Sequence, residues 1–345
     1  MKIDSYNSQK IKILSFWMIV MVVYIHSYYL EAESMALPNF VQRLGGSITS
    51  VAVPLFYAIS GFLFFNGIQQ VEQCWPKINK RVSTLLVPYV IWNIIFVLWY
   101  VVLAYTPGVS AFVNSDMLSD LSLSHPIDAF NYLFIKPAGF QMWFLRDLIL
   151  FVICTPILYI AIKRIKWFAF FVVLCATGWM TRFWMTSFVL GGTLAICYDN
   201  GLDLFRQRKK CVLICIFLYL LHSVLNAFGL LSIGNEYFNH YIGQVFMIVP
   251  MIAIWGGYDI VVREGYKPSS LFALMLDFTF FIFLFHEPVF NIIKKLGLKM
   301  LGTGDVQMVI LYLLNPWIMI TIAVSVGFIL KRVCPKIYSI SVGGR

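Results

Sequence analysis

The sequence predicts an all-α fold: a polytopic membrane helical bundle of about ten transmembrane helices, with both termini cytoplasmic. Of its 345 residues, 60% are hydrophobic and only 12% are charged, whereas soluble domains carry about 25% charged residues. Aromatic residues make up 17%, which suits helices that face lipid and place Trp and Tyr near the headgroups. A soluble core of this size would have to hide too much apolar surface, so the lipid bilayer is the expected surrounding.

Long apolar runs, taken in chain order, account for the predicted helices, since crossing a hydrocarbon core takes roughly 20 apolar residues. The runs lie at 11–30, 47–65, 84–105, 142–162, 167–180, 183–198, 211–229, 241–262, 271–293 and 306–330. The fifth and sixth are short and can equally form one helical hairpin that does not fully cross. The first run is too long for a cleavable signal. We therefore expect one integral membrane domain over 1–345, with a long outer loop at about 106–141.

The basic residues set the predicted orientation. With ten helices, Lys and Arg favour one set of loops by roughly three to one, and such an excess marks the cytoplasmic side. The same bias accounts for the net charge of +10 without nucleic acid as a partner. The seven cysteines lie mostly in or beside apolar runs, with no metal-type spacing to histidine. We expect neither disulfides nor a metal site.

Five ionisable side chains from three distant segments are expected at one depth of the bundle. His26 ends the first helix, Arg146 and Asp147 begin the fourth, and His286 and Glu287 reach a similar level in the ninth. Charged groups inside a membrane are costly unless they are paired or solvated. The sequence therefore predicts one polar cavity that opens outward.

Structural roles remain open for the same residues. His286 can simply bond a neighbouring helix, and Arg146 with Asp147 can form an ion pair that locks the fourth helix. Glu287 can satisfy a local break, because the following Pro288 removes a backbone donor.

Two further segments suggest a ligand at the cytoplasmic end. Arg81 lies at the start of the third helix, and a guanidinium group pairs well with phosphate. The alternative is a positive-inside anchor. Ser60 and Gly61 in the second helix allow either close helix packing or the approach of a ligand to the backbone.

These segments, in this order, resemble the acyltransferase family three of bacterial integral membrane proteins, which acylate cell-surface glycans. The matching pieces are VVYIHS at 22–27, PLFYAISGF at 54–62, RVSTLLVPYVIWN at 81–93, WFLRD at 143–147 and FHEP at 285–288. The closing SVGGR at 341–345 is similar to tails in one branch of the family. The similarity extends over nearly the whole chain.

The resemblance implies an O-acyltransferase of the bacterial inner membrane. Its donor substrate would be cytoplasmic acyl-CoA, with acetyl-CoA as the default and succinyl as an alternative acyl group. Its acceptor would be a hydroxyl of a cell-surface or exported polysaccharide or of a lipid-linked saccharide, and polysaccharide-synthesis machinery is a candidate partner. A transporter or flippase for a lipid-linked sugar, and a non-catalytic scaffold or sensor, are the other classes that the sequence leaves open.

The resemblance also implies roles for single residues. The first-helix histidine is regarded as the key catalytic residue, here His26, acting as a general base or through an acyl-imidazole. Glu287 or Asp147 would orient an imidazole, and Arg146 or His286 would stabilise the developing oxyanion.

Donor binding is where the chain departs from the family pattern. Many members have an arginine where this chain has Ser15. Either Lys10, Lys12 or Arg81 takes over that charge, or the chain belongs to a branch with altered donor handling. We therefore expect Lys10, Lys12, Ser60 and Arg81 at the donor site.

Overall fold

The computed structural model confirms the all-α class over the residues that it describes, which are 3–29, 35–106, 131, 135–177, 180, 184–231 and 236–344; no strand occurs among them. Short 3₁₀ turns lie at Val71–Gln73 and Gly201–Asp203, and a π-helical turn lies at Val82–Leu86. The α-helices of the described residues are α1 (Ser5–Ile25), α2 (Ala36–Thr49), α3 (Ala52–Phe65), α4 (Cys74–Arg81), α5 (Val87–Tyr105), α6 (Met142–Ile153), α7 (Thr155–Ile165), α8 (Trp167–Thr177), α9 (Met185–Cys197), α10 (Lys209–Ala227), α11 (Glu236–Phe246), α12 (Ile248–Val261), α13 (Ser270–Asp277), α14 (Thr279–Leu301), α15 (Asp305–Val333) and α16 (Pro335–Ser341).

Six helical stretches in this part of the chain are long and apolar enough to cross a membrane, and two bent pairs raise the number to as many as 8. Helices α8 and α9 are shorter apolar helices, at the two runs where the sequence leaves a hairpin open. The multi-pass class is thereby confirmed, while ten crossings and the cytoplasmic side of the termini remain predictions. The six stretches are Ser5–Ile25, Ala36–Phe65, Val71–Leu103, Lys209–Ala227, Tyr241–Val261 and Asp305–Val333.

Two predicted straight helices are bent. The run at 142–162 divides into α6 and α7, bent by 61°, next to Pro156, which cannot donate a backbone hydrogen bond. The run at 271–293 divides into α13 and α14, bent by 68°. A second interruption falls at Glu287, where φ is −101° and ψ is 142°. The proline that follows disfavours α-helical backbone angles at this residue for steric reasons. The predicted outer loop at 106–141 lies largely outside the described residues.

Helices α3 and α9 cross with their backbones in contact at two glycines. A Cβ atom at Gly61 would clash with the backbone of Phe188, and one at Gly191 would clash with the backbone of Ala58. Small residues permit this approach between membrane helices. The crossing fixes one face of α3, so that Ser60 faces the central cavity described below.

The C-terminal segment returns onto α5 and the π-helical turn. The Trp92 Nε1 atom donates a hydrogen bond of 3.0 Å to the Ser341 carbonyl. Gly343 has φ of +70° and lies against the backbone of Thr84. Two segments that carry the family resemblance, far apart in sequence, are thus neighbours next to Arg81.

Candidate active site

A cavity of about 950 Å³ runs along one face of α1. Ser8, Lys12, Ser15 and His26 of α1 and its C-cap line it, because residues three or four apart share a helix face. At a rise of about 1.5 Å per residue, Ser8 and His26 lie about 27 Å apart along the axis. Arg81 lines the same cavity, and it follows the return of the chain through α2 and α3 to the side of the bundle where α1 begins. We call the end with Lys12 and Arg81 the basic end, and the end with His26 the histidine end.

The middle of the cavity is apolar. Between the two ends its walls include Ile19 and Val22 of α1, Phe56 and Ile59 of α3, and Leu148 of α6. Ser15 and Ser60 add hydroxyl groups to this section. An uncharged chain fits such walls better than a highly charged group does.

His26, His286 and Glu287 meet at the histidine end. The His26 Nδ1 atom lies 3.8 Å from Glu287 Oε1, and the two side chains are 15% and 8% exposed. The ring centroids of His26 and His286 are 5.2 Å apart. Within the described residues, no group of three or more His, Cys, Asp and Glu side chains is arranged to hold a metal ion. These distances show that three of the five predicted catalytic residues, His26, His286 and Glu287, lie together.

The interruption of α14 positions Glu287. Pro288 cannot donate to the carbonyl of Leu284, four residues earlier. Gln141 replaces that hydrogen bond, because its Nε2 atom donates to Leu284 O at 3.0 Å and to Glu287 O at 3.2 Å. Asn291 then donates through Nδ2 to Glu287 Oε2 at 2.7 Å. The carboxylate is held from one side, while its other oxygen faces His26.

His286 has a defined tautomer. Its Nδ1 atom lies 2.8 Å from Phe283 O and 3.2 Å from Ile282 O, and both partners accept, so Nδ1 carries the proton. The Nε2 atom is then an acceptor, and it is buried without a hydrogen-bond partner among the described residues. In this tautomer His286 cannot donate through Nε2 to an oxyanion unless the ring takes up a second proton.

The end of α1 that presents His26 is anchored by its neighbours. The Lys294 Nζ atom donates to the His26 carbonyl at 2.7 Å, a group at a helix end that lacks an intrahelical partner. Ser27 Oγ donates to Tyr312 O at 3.0 Å, and the Tyr29 backbone N–H donates to Gln42 Oε1. These contacts come from α2, α14 and α15, so three helices fix the position of the imidazole.

Arg146 and Asp147 form a separate pair. Arg146 donates to Asp147 Oδ1 through Nε at 2.9 Å, and its Nη2 atom lies 2.8 Å from the same oxygen. Its Nη1 atom donates to Ile135 O. Neither residue is part of the cavity lining. The structure does not bring this pair to the cavity with His26. The contacts between Arg146 and Asp147 match the alternative interpretation of the sequence, an ion pair that locks the helix.

The four residues expected at the donor site divide into two groups. Lys12, Ser60 and Arg81 line the cavity. Lys10 does not: it is fully buried, and its Nζ atom lies 2.8 Å from both carboxylate oxygens of Asp259 on α12. The Tyr6 hydroxyl donates to the same carboxylate at 2.8 Å. Lys10 is therefore engaged in an internal ion pair.

Several residues of the site are not predicted by the sequence. Gln141, Asn291 and Lys294 hold Glu287 and the His26 carbonyl, and none of them lies in a segment that carries the resemblance. The one signal is Pro288, since a proline inside a membrane helix predicts an orphaned carbonyl four residues earlier that needs a donor.

The protein is thus a helical bundle with a cavity that ends at His26, and His26 lies beside His286 and Glu287. A family model described as an acyltransferase domain matches residues 10–331. The chain therefore belongs to this acyltransferase family, and it is a multi-pass membrane protein. The resemblance carried by the five motifs is confirmed at the level of the family.

One relative is similar over its full length. It is the succinoglycan biosynthesis protein ExoH of Rhizobium meliloti (strain 1021), which is 23% identical over 367 residues. The alignment covers 99% of this chain and 94% of that protein. No solved structure matches the chain.

Proposed function

We propose that the protein moves an acyl group, acetyl by default, from cytoplasmic acyl-CoA to a hydroxyl of an exported or cell-surface polysaccharide, in the bacterial inner membrane. The observation that carries the proposal is the cavity, because it joins cationic side chains at one end to His26 at the other. Family membership supplies the acyl transfer. The name of the similar protein refers to the synthesis of a glycan, which supports a glycan acceptor.

The donor would lie along the cavity. Its anionic phosphates pair with Lys12 and Arg81 at the basic end, and its pantetheine arm follows the apolar middle section toward His26. Ser15 lies in this section, where many family members have arginine. Lys12, about one helical turn nearer the basic end, is in position to supply the missing charge, whereas Lys10 is held by Asp259.

His26 would act on the acceptor hydroxyl. In the general-base route, the imidazole removes the hydroxyl proton while the oxygen attacks the thioester carbonyl; the C–S bond then breaks, and the leaving thiolate takes the proton. In the covalent route, the imidazole nitrogen attacks the thioester carbonyl, and the C–S bond breaks to release the CoA thiolate. The acceptor oxygen then attacks the acyl-imidazole, the C–N bond breaks, and the hydroxyl proton passes to the thiolate. Both routes give an acyl ester and free CoA.

Glu287 is proposed as a positioning residue. Its carboxylate is on the Nδ1 side of His26. A carboxylate at this place fixes the ring orientation and stabilises the imidazolium ion that forms during transfer.

Replacing Glu287 by Gln is expected to lower kcat for acyl transfer by about 10- to 100-fold, because the imidazolium ion loses its counter-charge. The KM for acyl-CoA should stay unchanged, since Glu287 does not line the cavity. Steady-state kinetics in reconstituted membranes separate the two constants. Glu287→Asp should recover part of the loss. A raised KM with an unchanged kcat would instead place Glu287 in substrate binding.

Replacing Arg81 by Ala is expected to raise the KM for acyl-CoA about tenfold, because a charge-assisted contact to phosphate is lost. Arg263→Ala is the matched control, since Arg263 is exposed and lies outside the cavity lining. Donor titrations at saturating acceptor measure both. If the two variants behave alike, Arg81 is a positive-inside anchor only.

The proposed activity itself is tested by mass spectrometry of surface glycans from cells with and without the protein. We expect an added acyl mass only when the protein is present, and transfer of label from labelled acetyl-CoA to the glycan in membrane vesicles. Movement of unmodified glycan across vesicles without CoA would reject the enzyme in favour of a transporter.

A further inference from the structure

The basic end of the cavity also holds an acidic side chain, to which the proposed function assigns no role. Asp277, the last residue of α13, lines the cavity together with Lys12 and Arg81. Its Oδ1 atom lies 2.6 Å from Lys12 Nζ, and the two side chains are 49% and 51% exposed. The pair links α1 to α13 across the lining where the donor phosphates are proposed to bind.

The Lys12–Asp277 pair differs from the neighbouring pair on the same helix. Lys10 and Asp259 are 1% and 4% exposed in their side chains, so their charges have no access to a ligand. Ion pairs that are half exposed contribute little to stability, because water competes for both partners. Lys12 and Asp277 can therefore separate at little cost, and a phosphate group offers Lys12 a stronger partner than a single carboxylate does.

We propose that Asp277 is a further residue of the donor site: it pairs with Lys12 when the donor is absent, and a phosphate group of the donor replaces it. The inference rests on the proposed function, because it takes a phosphorylated thioester as the ligand. Asp277 acts as an exchangeable anion: it weakens the binding of the donor and, by the same amount, eases the release of free CoA after transfer. Its carboxylate returns to Lys12 when the product leaves.

The proposal predicts that a neutral residue at 277 strengthens binding. In Asp277→Asn, Lys12 has no competing carboxylate, so the Kd of free CoA should fall by about two- to fivefold, the range that corresponds to one exposed ion pair. The rate of CoA release should fall by a similar factor, since affinity differences within one site arise mostly in dissociation. Pantetheine, which has no phosphate, should bind Asp277→Asn and the unmodified protein equally.

The experiment measures binding of free CoA and of pantetheine to the full chain in lipid nanodiscs by titration calorimetry. Glu264→Gln is the matched control: it also removes a carboxylate, Glu264 pairs with Arg206, and it lies outside the cavity lining. Tighter CoA binding by Asp277→Asn, with Glu264→Gln unchanged, supports the proposal. Equal or weaker CoA binding by Asp277→Asn overturns it, and so does a shift that pantetheine shares.

The same titrations distinguish a failure of the proposed donor from a failure of the role of Asp277. If the unmodified protein binds no CoA, the proposed donor is wrong and the proposed function falls with it. If the unmodified protein binds CoA and only the Asp277 effect is missing, the role of Asp277 alone is wrong. Lys12→Met provides a second variant should Asp277→Asn fail to fold: weaker CoA binding is expected, and unchanged binding overturns the exchange at Lys12.

Discussion

Replacement of His26 by Ala is expected to lower acyl transfer by about 10²–10⁴-fold, the contribution that a positioned acid or base typically makes. The imidazole lies at the end of the cavity and beside Glu287, whereas the neighbouring His286 does not line the cavity. The bundle should remain intact, because Lys294 binds the carbonyl of residue 26 and not its side chain. Acyl transfer per amount of folded protein is the measurement.

A second histidine provides the control for this result. His222 on α10 stacks on Phe246 with ring centroids 4.1 Å apart, and it is not part of the cavity lining. His222→Ala should keep its transfer activity per folded molecule. Normal glycan acylation by His26→Ala at matched protein level would end the catalytic assignment of His26.

Replacement of Lys10 by Met is expected to destabilise the protein by about 3–5 kcal/mol, because it leaves the carboxylate of Asp259 buried without its cation. Lys12→Met, two residues further along the same helix, should cost at most about 1 kcal/mol, since its partner is half exposed. Thermal unfolding of the two variants in the same detergent compares them directly.

The double variant Lys10→Met with Asp259→Leu tests the cause of that loss. Removing both charges leaves no unpaired ion, so the double variant should be more stable than Lys10→Met alone. A Lys10→Met variant with normal stability and a raised KM for the donor would contradict this structural role. It would support the sequence-based expectation that Lys10 binds the donor.

Lys10 and Lys12 show why the sequence predicts only part of the site. Both are basic residues at the start of one apolar helix, and the sequence assigns both to the donor. Which of them is buried depends on the face that α12 covers, and α1 is apolar on most sides, so periodicity does not identify that face. The pairing of Lys10 with Asp259 joins residues 249 positions apart, a contact that no local pattern signals.

The histidine end was more predictable. The spans and their order place His26, His286 and Glu287 at one depth, and the structure brings these side chains into contact range. Arg146 and Asp147 lie on a part of α6 that does not line the cavity. Depth follows from counting residues along a helix, whereas direction depends on packing against neighbouring helices. The same limit explains why Gln141 and Lys294 are recognised only once the bend in α14 is known.

The apolar middle of the cavity has a consequence for the energy balance of the cell. A route for an acyl chain through the bilayer threatens the ion gradients that the membrane maintains. Over most of the section that Ile19 and Phe56 line, the walls offer an ion few polar ligands in place of its water. In the proposed mechanism, the apolar walls around the donor would keep the leak of ions small while the acyl group reaches the histidine end.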